Sequence, residues 1–536
     1  MQTGTYPAPH LIVAAPRWET GDSLDAWLSR EEKRIQQAIG ALAPGGSLCW
    51  QVSWELDGRP ALDLMLGPVL RKCGLVMRNR ILCMFGQDPA DPGASLTVDD
   101  SGHRAVLWFT RPEGYYFDLP PEVRIKQRYT GKKHYKGPNK GKLSCNPDGK
   151  NPGDVFWIDP QQREAWPVFP PTVVKRLTLA LVPPGGTVCV LDPAGGAWEM
   201  VQGLGREVTF ELPSVPDQAA TLPLVVDPVW RLPVGARRYQ AALQLDVGET
   251  QPAADASPHV QPRYRQDGAP VTLHWGDCRD LTEQVPQKKV QLILMSPPYN
   301  IGEVYERRRS LREYRDDIVD LIQRCASRLA DDGTFAWQVG NYVYSGSPSN
   351  AYHGAVVPLD ELFHSAFMEL GFKVHRRVTW YFRHGLHCTK RFSGRYESVI
   401  FYTRTDNPVF MPEFVPEGDG PCWAIPQVNS NHCEKTIHPC QFPLELASRV
   451  VLSRSRPGDL VMDGTMGVGT SLVSAFIWAR QGAGADLVRE YVAVAVDRIE
   501  QAAAGTLPHR QIQWPNAQLQ VHMLLSSSQS GSDEAA

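Results

Sequence analysis

Apolar residues in this chain fall in short runs that proline, glycine or an acid cuts off. The most abrupt is Val290 to Met295, which halts at Pro297-Pro298, residues that can neither donate to a β-ladder nor continue one. The pattern predicts a buried strand with Ser296 to Asn300 at its C-terminal end, where open α/β sheets bind ligands. A plain Pro-Pro turn closing a strand gives the same pattern. A second stretch adds to it: Gly458-Asp459 reads as a turn, Leu460 to Met462 as a strand ending in Asp463, and residues 464–471 as a glycine-rich loop before a helical run from Leu472 to Arg480. Glycines stand where backbone must approach a ligand closely. Val492 to Val496, ending in Asp497, reads as the next strand, with its acid placed for ribose hydroxyls.

The first half repeats the second. Residues 10–18 line up with 292–299, 46–52 with 333–339, 73–80 with 370–377, 105–111 with 398–404, and 184–196 with 457–469. Five blocks in one order predict a tandem internal duplication of a whole domain, against the alternative of two unrelated α/β domains. The expected fold is α/β, with two Rossmann-like doubly wound domains over residues 1–211 and 267–525, a linker region over 212–266 and a disordered tail over 526–536. The copies differ where chemistry would sit. Ala15-Pro16-Arg17-Trp18 lacks the hydroxyl and the second proline of 296–299, and the loop from Asp192 through Gly195-Gly196 puts Trp198 where backbone should meet a ligand. The first copy is expected to be inactive.

Ser296-Pro297-Pro298-Tyr299, followed in the chain by Asp463-Gly464-Thr465-Met466-Gly467-Val468-Gly469-Thr470, resembles the amino-methylating DNA methyltransferases in their permuted, catalytic-motif-first order. Gly276-Asp277-Cys278 resembles the family's acidic cofactor motif. His432 to Pro443, with His438, Gln441, Phe442 and Pro443, resembles the segment entering its cofactor domain, and Arg395 to Ile400 the strand behind the target base. The chain has Gly464-Thr465 where the family usually has Pro-Phe. The resemblance spans about residues 270–505 and implies S-adenosyl-L-methionine as cofactor and duplex DNA as substrate. It implies cofactor contacts from Asp277, Cys278, His438, Gln441, Phe442, Pro443, Asp463, Gly464, Thr465, Gly467, Gly469, Thr470 and Asp497, with catalysis by Ser296, Pro297, Pro298 and Tyr299. Ser rather than Asp before Pro-Pro-Tyr resembles the cytosine-N4 branch. The alternatives are adenine-N6 methylation, a DNA-binding pseudoenzyme, and protein-glutamine methylation.

The implied chemistry suits these residue types. An exocyclic amine is a poor nucleophile because its lone pair is delocalised, so acceptors at Ser296 and the Pro297 carbonyl would orient it. The nucleotide would be flipped out of the duplex, with Tyr299 at the rim to stack on the base. Pro439-Cys440-Gln441 mimics the nucleophile tripeptide of ring-carbon cytosine methyltransferases, but it precedes the cofactor loop instead of following it.

A formal net charge of -3 makes any DNA surface a local basic patch on a neutral background. Between about residues 123 and 154 lie Arg124, Lys126, Arg128, Lys132, Lys133, Lys136, Lys140 and Lys142, interleaved with Tyr, Gly and Asn. This composition suits phosphate contact, though a solvated basic loop has it too. Arg307, Arg308 and Arg309 read as a loop that closes over a backbone or as an exposed helix start, and Lys390, Arg391 and Arg395 as a further DNA face. Eleven cysteines without a C-x-x-C pair argue for buried thiols, and the spacing of His432, Cys433, His438 and Cys440 fits no usual zinc pattern, so no metal is expected. The N-terminus has neither a basic nor an apolar signal region, so a cytoplasmic, nucleoid-associated protein is expected, as a monomer with pseudo-two-fold halves or a homodimer, with or without a cognate restriction endonuclease.

Overall fold

The computed structural model describes residues 7–16, 23–53, 61–88, 103–126, 131, 133, 140–143, 146–162, 169–192, 197–213, 270–344, 350–382, 388–414, 420 and 422–510. The expected linker beyond Pro213 and the tail from residue 526 lie outside them. The chain divides into two compact units. The first comprises residues 1–235 together with 343–357 and 383–396, and the second comprises 236–342, 358–382 and 397–536. Two segments of the second half therefore belong to the first unit, which a division at residues 212–266 does not anticipate.

The first unit is built on a seven-stranded sheet of β1 (Leu11–Ala14), β2 (Ser47–Ser53), β3 (Val76–Phe85), β4 (Arg104–Thr110), β5 (Val155–Ile158), β6 (Thr187–Val190) and β7 (Glu207–Thr209), in the order β5-β3-β4-β2-β1-β6-β7. Strand β1 runs parallel to β2 and β6, while β4 is antiparallel to β2 and β3. Strands β3 and β4 are buried at every position, which suits the apolar runs Ile81 to Phe85 and Ala105 to Phe109, while Arg78, Asn79 and Arg80 are enclosed polar positions of β3. The helices are α1 (Leu24–Ala41), α2 (Leu62–Lys72), α3 (Pro171–Leu181) and the short α4 (Met200–Gly203). Ser23 caps α1 by accepting the Ala26 N–H, and Trp27, Ile35, Ala38 and Ile39 form the face it buries. The borrowed segment 383–396 enters this core. Phe392 is fully buried against Trp108, Phe117 and Phe156, and Asn79 pairs with both its carbonyl (3.2 Å) and its N–H (3.0 Å).

The second unit carries β8 (Val271–Trp275), β9 (Val290–Met295), β10 (Leu329–Val339), β13 (Lys373–Tyr381), β14 (Tyr396–Thr403), β15 (Cys422–Ala424), β16 (Leu460–Asp463) and β17 (Gln481–Asp486), in the order β15-β13-β14-β10-β9-β16-β17-β8. Between β10 and β13 the two-stranded ribbon of β11 (Asn341–Val343) and β12 (Val356–Pro358) begins and ends the excursion of residues 343–357. Leaving β8 aside, the seven remaining strands of this sheet, taken in chain order, occupy the same positions as the seven of the first unit, and β8 adds an edge. Strand β9 lies parallel between β10 and β16, and β14 is antiparallel to β10. The helices are α5 (Cys278–Gln284), α6 (Leu311–Ala326), α7 (Leu359–Glu369), α8 (Leu444–Arg454), α9 (Thr470–Ile477) and α10 (Arg489–Ala503). Ala447, Val450 and Val451 of α8, with Ala475 of α9, cover Leu292 and Leu294 of β9. Among the described residues no helix is long and apolar enough to cross a membrane.

One expected strand is absent. Residues 492–497 lie within α10, where Val492, Ala495 and Ile499 recur at helical spacing on the buried face and Asp497 points to solvent. The strand is instead Gln481 to Asp486, whose glycines and alanines carry little β-propensity. A Cβ on Gly484 would lie 2.4 Å from the Leu472 side chain, so close packing against α9 selects glycine there.

Candidate active site

Strand β9 is central, with the chain turning to β10 on one side and β16 on the other, so its C-terminal end is a topological switch point. Ser296 to Asn300 leave the sheet there. The loop is held by hydrogen bonds: the Thr465 hydroxyl donates to the Ser296 carbonyl (3.0 Å) and the Tyr314 hydroxyl to the Pro298 carbonyl (2.7 Å). Asn300 takes a left-handed φ of 57°, a conformation asparagine tolerates better than most residues. Its side chain bonds both the N–H (2.8 Å) and the carbonyl (2.9 Å) of Arg309. The Glu306 carboxylate then accepts the N–H groups of Asn300, Ile301, Gly302 and Glu303, which folds residues 300–310 back on themselves. A capping box between Ser310 and Glu313 starts α6 immediately afterwards.

This loop uses two of the three arginines expected to grip DNA. Arg308 donates to the Ile301 carbonyl (2.7 Å) and Arg309 pairs with Asp317 (2.8 Å), while Arg307 is exposed at the cavity wall. Tyr299, expected at the rim, lines the cavity. Its hydroxyl turns inward to the Glu397 carboxylate (3.1 Å) and to Gln338 (3.3 Å), and it meets the Ser296 side chain. Gln338 in turn donates to Glu397 at 2.6 Å. Burial, and then the nearby Glu397 charge, hold the phenol well above its ordinary range.

A cavity of about 950 Å³ opens in front of this loop. Residues 296–299, expected to be catalytic, and the expected cofactor residues Asp277, Cys278, His438, Gln441, Phe442, Gly464, Thr465, Gly467 and Thr470 line it. Asp463 lies buried behind the loop, where it accepts from the Thr465 N–H (3.0 Å) and the Ser471 hydroxyl, and burial pushes its carboxyl up to about 7. Asp486, at the end of β17, accepts from the N–H groups of Gly467 (2.9 Å) and Val488 (2.8 Å) and is raised by burial to about 6. Asp486, not Asp497, is thus the strand-end acid at the cavity, and a run of small residues ending in Asp was the signal for it. Gly469 caps α9 at φ +71° and Pro443 caps α8, so both support the wall without lining it.

His438 stacks on Tyr305 (5.0 Å between centroids) and packs against Tyr491, with burial lowering its imidazole to about 3. Gly467 lies under that ring at φ +52°, and a Cβ there would approach it to 3.1 Å. Asp277 caps α5 and pairs with Arg279 (3.0 Å), which also binds Asp317 and Asp320, so the expected cofactor acid is already partly neutralised. Gln441 braces its own segment through Thr436 and the Glu434 carbonyl. The Thr470 hydroxyl accepts from Arg498 (2.9 Å).

In the first unit the described residues of the basic segment make two antiparallel bridges, Ile125 to Lys150 and Lys133 to Leu143. Lys126, Lys133, Lys140 and Lys142 are exposed on that segment, and Arg124 reaches the Gly149 carbonyl at 3.4 Å. Arg128, Lys132 and Lys136 lie outside the described residues. Lys390 is exposed and Arg391 half-buried, but Arg395 cannot be a DNA contact as expected. It is only 5% exposed, with its guanidinium on the Asn151 carbonyl and its N–H on the Asp154 carboxylate. Basic residues in a strand-flanking turn gave no sign that this one would be enclosed.

A doubly wound α/β sheet whose switch point brings a Ser-Pro-Pro-Tyr loop and a glycine loop onto one cavity defines a group-transfer enzyme domain. The N6/N4-type DNA methylase family matches residues 290–497. The chain is 35% identical over 248 residues to the type II methyltransferase M.BglII of Bacillus subtilis, covering 42% of this chain and 67% of that protein. It is 29% identical over 259 residues to M.ScaI of Streptomyces caespitosus, covering 44% and 82%. Among solved structures, the cytosine-N4-specific PvuII DNA methyltransferase aligns at 20% identity and a TM-score of 0.37, covering 44% of this chain and 92% of that one. The chain belongs to the N6/N4 DNA methylase family.

Proposed function

We propose that the second unit transfers a methyl group from S-adenosyl-L-methionine to the exocyclic N4 amine of cytosine in duplex DNA. The observation that carries this reading is the hydrogen bond from Thr465 to the Ser296 carbonyl, which ties the glycine loop to the Ser-Pro-Pro-Tyr loop on one cavity wall. The residues present fit the cofactor. Gly464 and Gly467 line the cavity where close packing against Cys278 and His438 excludes a Cβ, and Asp486 sits at the strand end beside them. Asp486 and Thr465 would hold it on one side and the His438 segment on the other. When bound, the cofactor supplies an electrophilic sulfonium methyl.

The chain's own task is to present the amine. Ser296 offers a hydroxyl acceptor, and the fixed Pro297-Pro298 backbone a carbonyl. Two accepted N–H bonds turn the nitrogen lone pair outward, so rate comes from positioning and electrostatics. The cavity is large enough to admit a flipped base beside a cofactor, and Gln427 and Asn429 bring amide groups to its wall. Cytosine over adenine is read from Ser296 in the motif's first position.

The same reading gives the first unit DNA recognition without transfer. The two sheets share strand order, supporting an internal duplication, and the basic segment with exposed Lys126, Lys133, Lys140 and Lys142 belongs to the first unit. The test is mass spectrometry of nucleosides from DNA treated with the full chain and with Ser296→Ala. N4-methylcytosine from the first and little from the second is the expected result. N6-methyladenine as the sole product would overturn the base assignment, and an unchanged single-turnover rate in the variant would remove Ser296 from the mechanism.

A further inference from the structure

Methylation leaves a proton to dispose of, and the loop that positions the amine also offers a way out for it. As the N–C bond forms and the C–S bond breaks, the amine nitrogen becomes cationic and must shed one N–H proton to regain its neutral, conjugated form. Ser296 is not a base, and among the described residues no histidine stands beside it: His438 packs between Tyr305 and Tyr491. Behind Ser296 runs a connected line of side chains. The Ser296 side chain meets the Tyr299 hydroxyl, which lies 3.1 Å from Glu397 Oε2, and that oxygen also accepts from Gln338 at 2.6 Å.

We propose that Glu397 is the terminal proton acceptor of the transfer reaction, receiving the amine proton through Ser296 and Tyr299. The proposal rests on the amine-methylation reading above. The directions are consistent: the amine N–H is donated to Ser296 Oγ, the Ser296 proton passes to Tyr299, and the Tyr299 proton passes to Oε2. Serine and tyrosine end neutral, Glu397 ends protonated, and the methylated amine ends neutral. The carboxylate then returns its proton to solvent.

The setting of Glu397 fits this use. It is placed by β14, and a Cβ on residue 340 would come within 2.9 Å of its Oε1, so glycine at that position leaves room for the carboxylate. Burial raises its carboxyl above the ordinary carboxylate range, which makes it a better acceptor at the end of a relay. Among the described residues, the titratable groups facing it are Tyr299, held well above its ordinary range by burial, and the Cys440 thiol, which is also raised. Gln338 completes its surroundings as a neutral donor and keeps Oε2 oriented.

The expected acid limb follows from the sign of that shift. The relay needs Glu397 ionised, so single-turnover methylation by the wild type should fall as pH drops through the raised value. Glu397→Gln conserves size and can still accept from Tyr299, but it cannot take up a proton. Its rate should drop by roughly 10²-fold or more with the acid limb lost, while cofactor and DNA affinities and melting temperature hold. Tyr299→Phe breaks the line at its middle and serves if the first variant does not fold; it too should lose the limb. An independent readout needs no turnover: the infrared carbonyl band of a protonated, buried carboxyl should titrate in the wild type and vanish in Glu397→Gln. An unmethylated product from the wild type would defeat the methylation reading itself. A normal wild type with Glu397→Gln within twofold of it, or slowed but keeping the acid limb, would overturn the relay alone.

Discussion

Gly464 occupies the first position after the acid of β16, and space alone dictates its identity. A Cβ there would lie 2.4 Å from Cys278 Sγ and 3.4 Å from both Cys325 Sγ and Met295 Sδ. The sulfurs of Cys278 and Cys325 are themselves 3.6 Å apart and buried, leaving neither free to retreat. Gly464→Ala therefore overpacks the site, at a cost of about 1 to 3 kcal/mol. For a unit of this size that is a fall in melting temperature of roughly 2 to 12 °C. Because Asp463 and Thr465 flank the strained residue and Thr465 bonds the Ser296 carbonyl, turnover should fall with stability. Cys278→Ala removes the colliding sulfur and leaves a small void. The new methyl would fill that void, so the double variant should be more stable than the sum of the singles predicts. Urea unfolding of the four chains measures the coupling, expected at about 1 to 3 kcal/mol, with calorimetry reporting cofactor binding alongside. Additivity within about 0.5 kcal/mol would mean that the clash is not what selects glycine, and the argument from space would fail.

Calorimetry on the wild type should give one cofactor site per chain, and two sites of similar affinity would refute an inactive first copy. Asp463→Asn should stabilise the protein at pH 8 but not at pH 4. The folded carboxyl titrates near 7 against an unfolded 3.8, so the folded chain retains a proton that the unfolded chain has released, and stability falls as pH rises through that window. Equal melting shifts at both values would contradict this. Replacing Lys126, Lys133, Lys140 and Lys142 together by alanine should weaken DNA binding and reduce the slope of log affinity against log salt by roughly 0.9 for each phosphate that is no longer neutralised. An unchanged slope would remove the segment from the interface.

The strands that carry the site were legible because they are buried on both faces and stop at residues that cannot continue them. Val290 to Met295 and Leu460 to Met462 announce both their apolar core and their ends, and the loops after them supply two parts of the cavity wall. Asp486 was not legible because its strand is made of glycine and alanine. Packing against Leu472 creates that strand, and no local preference records such a contact. The apolar run at residues 492–496 looked more like a strand than the real one did, until its buried positions proved to recur at helical spacing. Glu397 was visible as part of a strand but not as a partner of Tyr299, because the two meet across β10 and β14 from positions 98 residues apart. Arg395 shows the same limit for charge: sequence records that a residue is basic, and only the fold records that Asn151 and Asp154 have already engaged it.

The acids that follow the equivalently ordered strands β6 and β16 show how a shared sheet can carry two different sites. Asp463 is fully buried and needs compensation for it, while Asp192 is half-buried. After β16, Asp463 receives only neutral donors, Ser471 and the Thr465 N–H, so its loop stays free of a bulky counter-ion and the cavity remains open. After β6, Asp192 receives the Arg34 guanidinium at 2.7 Å together with the Ala15 N–H at 2.9 Å. Arg34 is held from behind by Glu31 (3.1 Å), which Trp50 also binds (3.1 Å). A cationic side chain from α1 thus stands at the end of β1, beside Ala15, where the hydroxyl of a transfer site would be needed. A guanidinium that reaches this carboxylate brings positive charge to the place where a cationic sulfonium would have to sit, and loss of a serine hydroxyl alone would not do that. An inactive first unit, if calorimetry bears it out, would then follow from electrostatics as well as from missing groups, and Ala15 and Trp198, which stand where the transfer site would need a hydroxyl and a ligand, are themselves packed into the apolar core of the sheet.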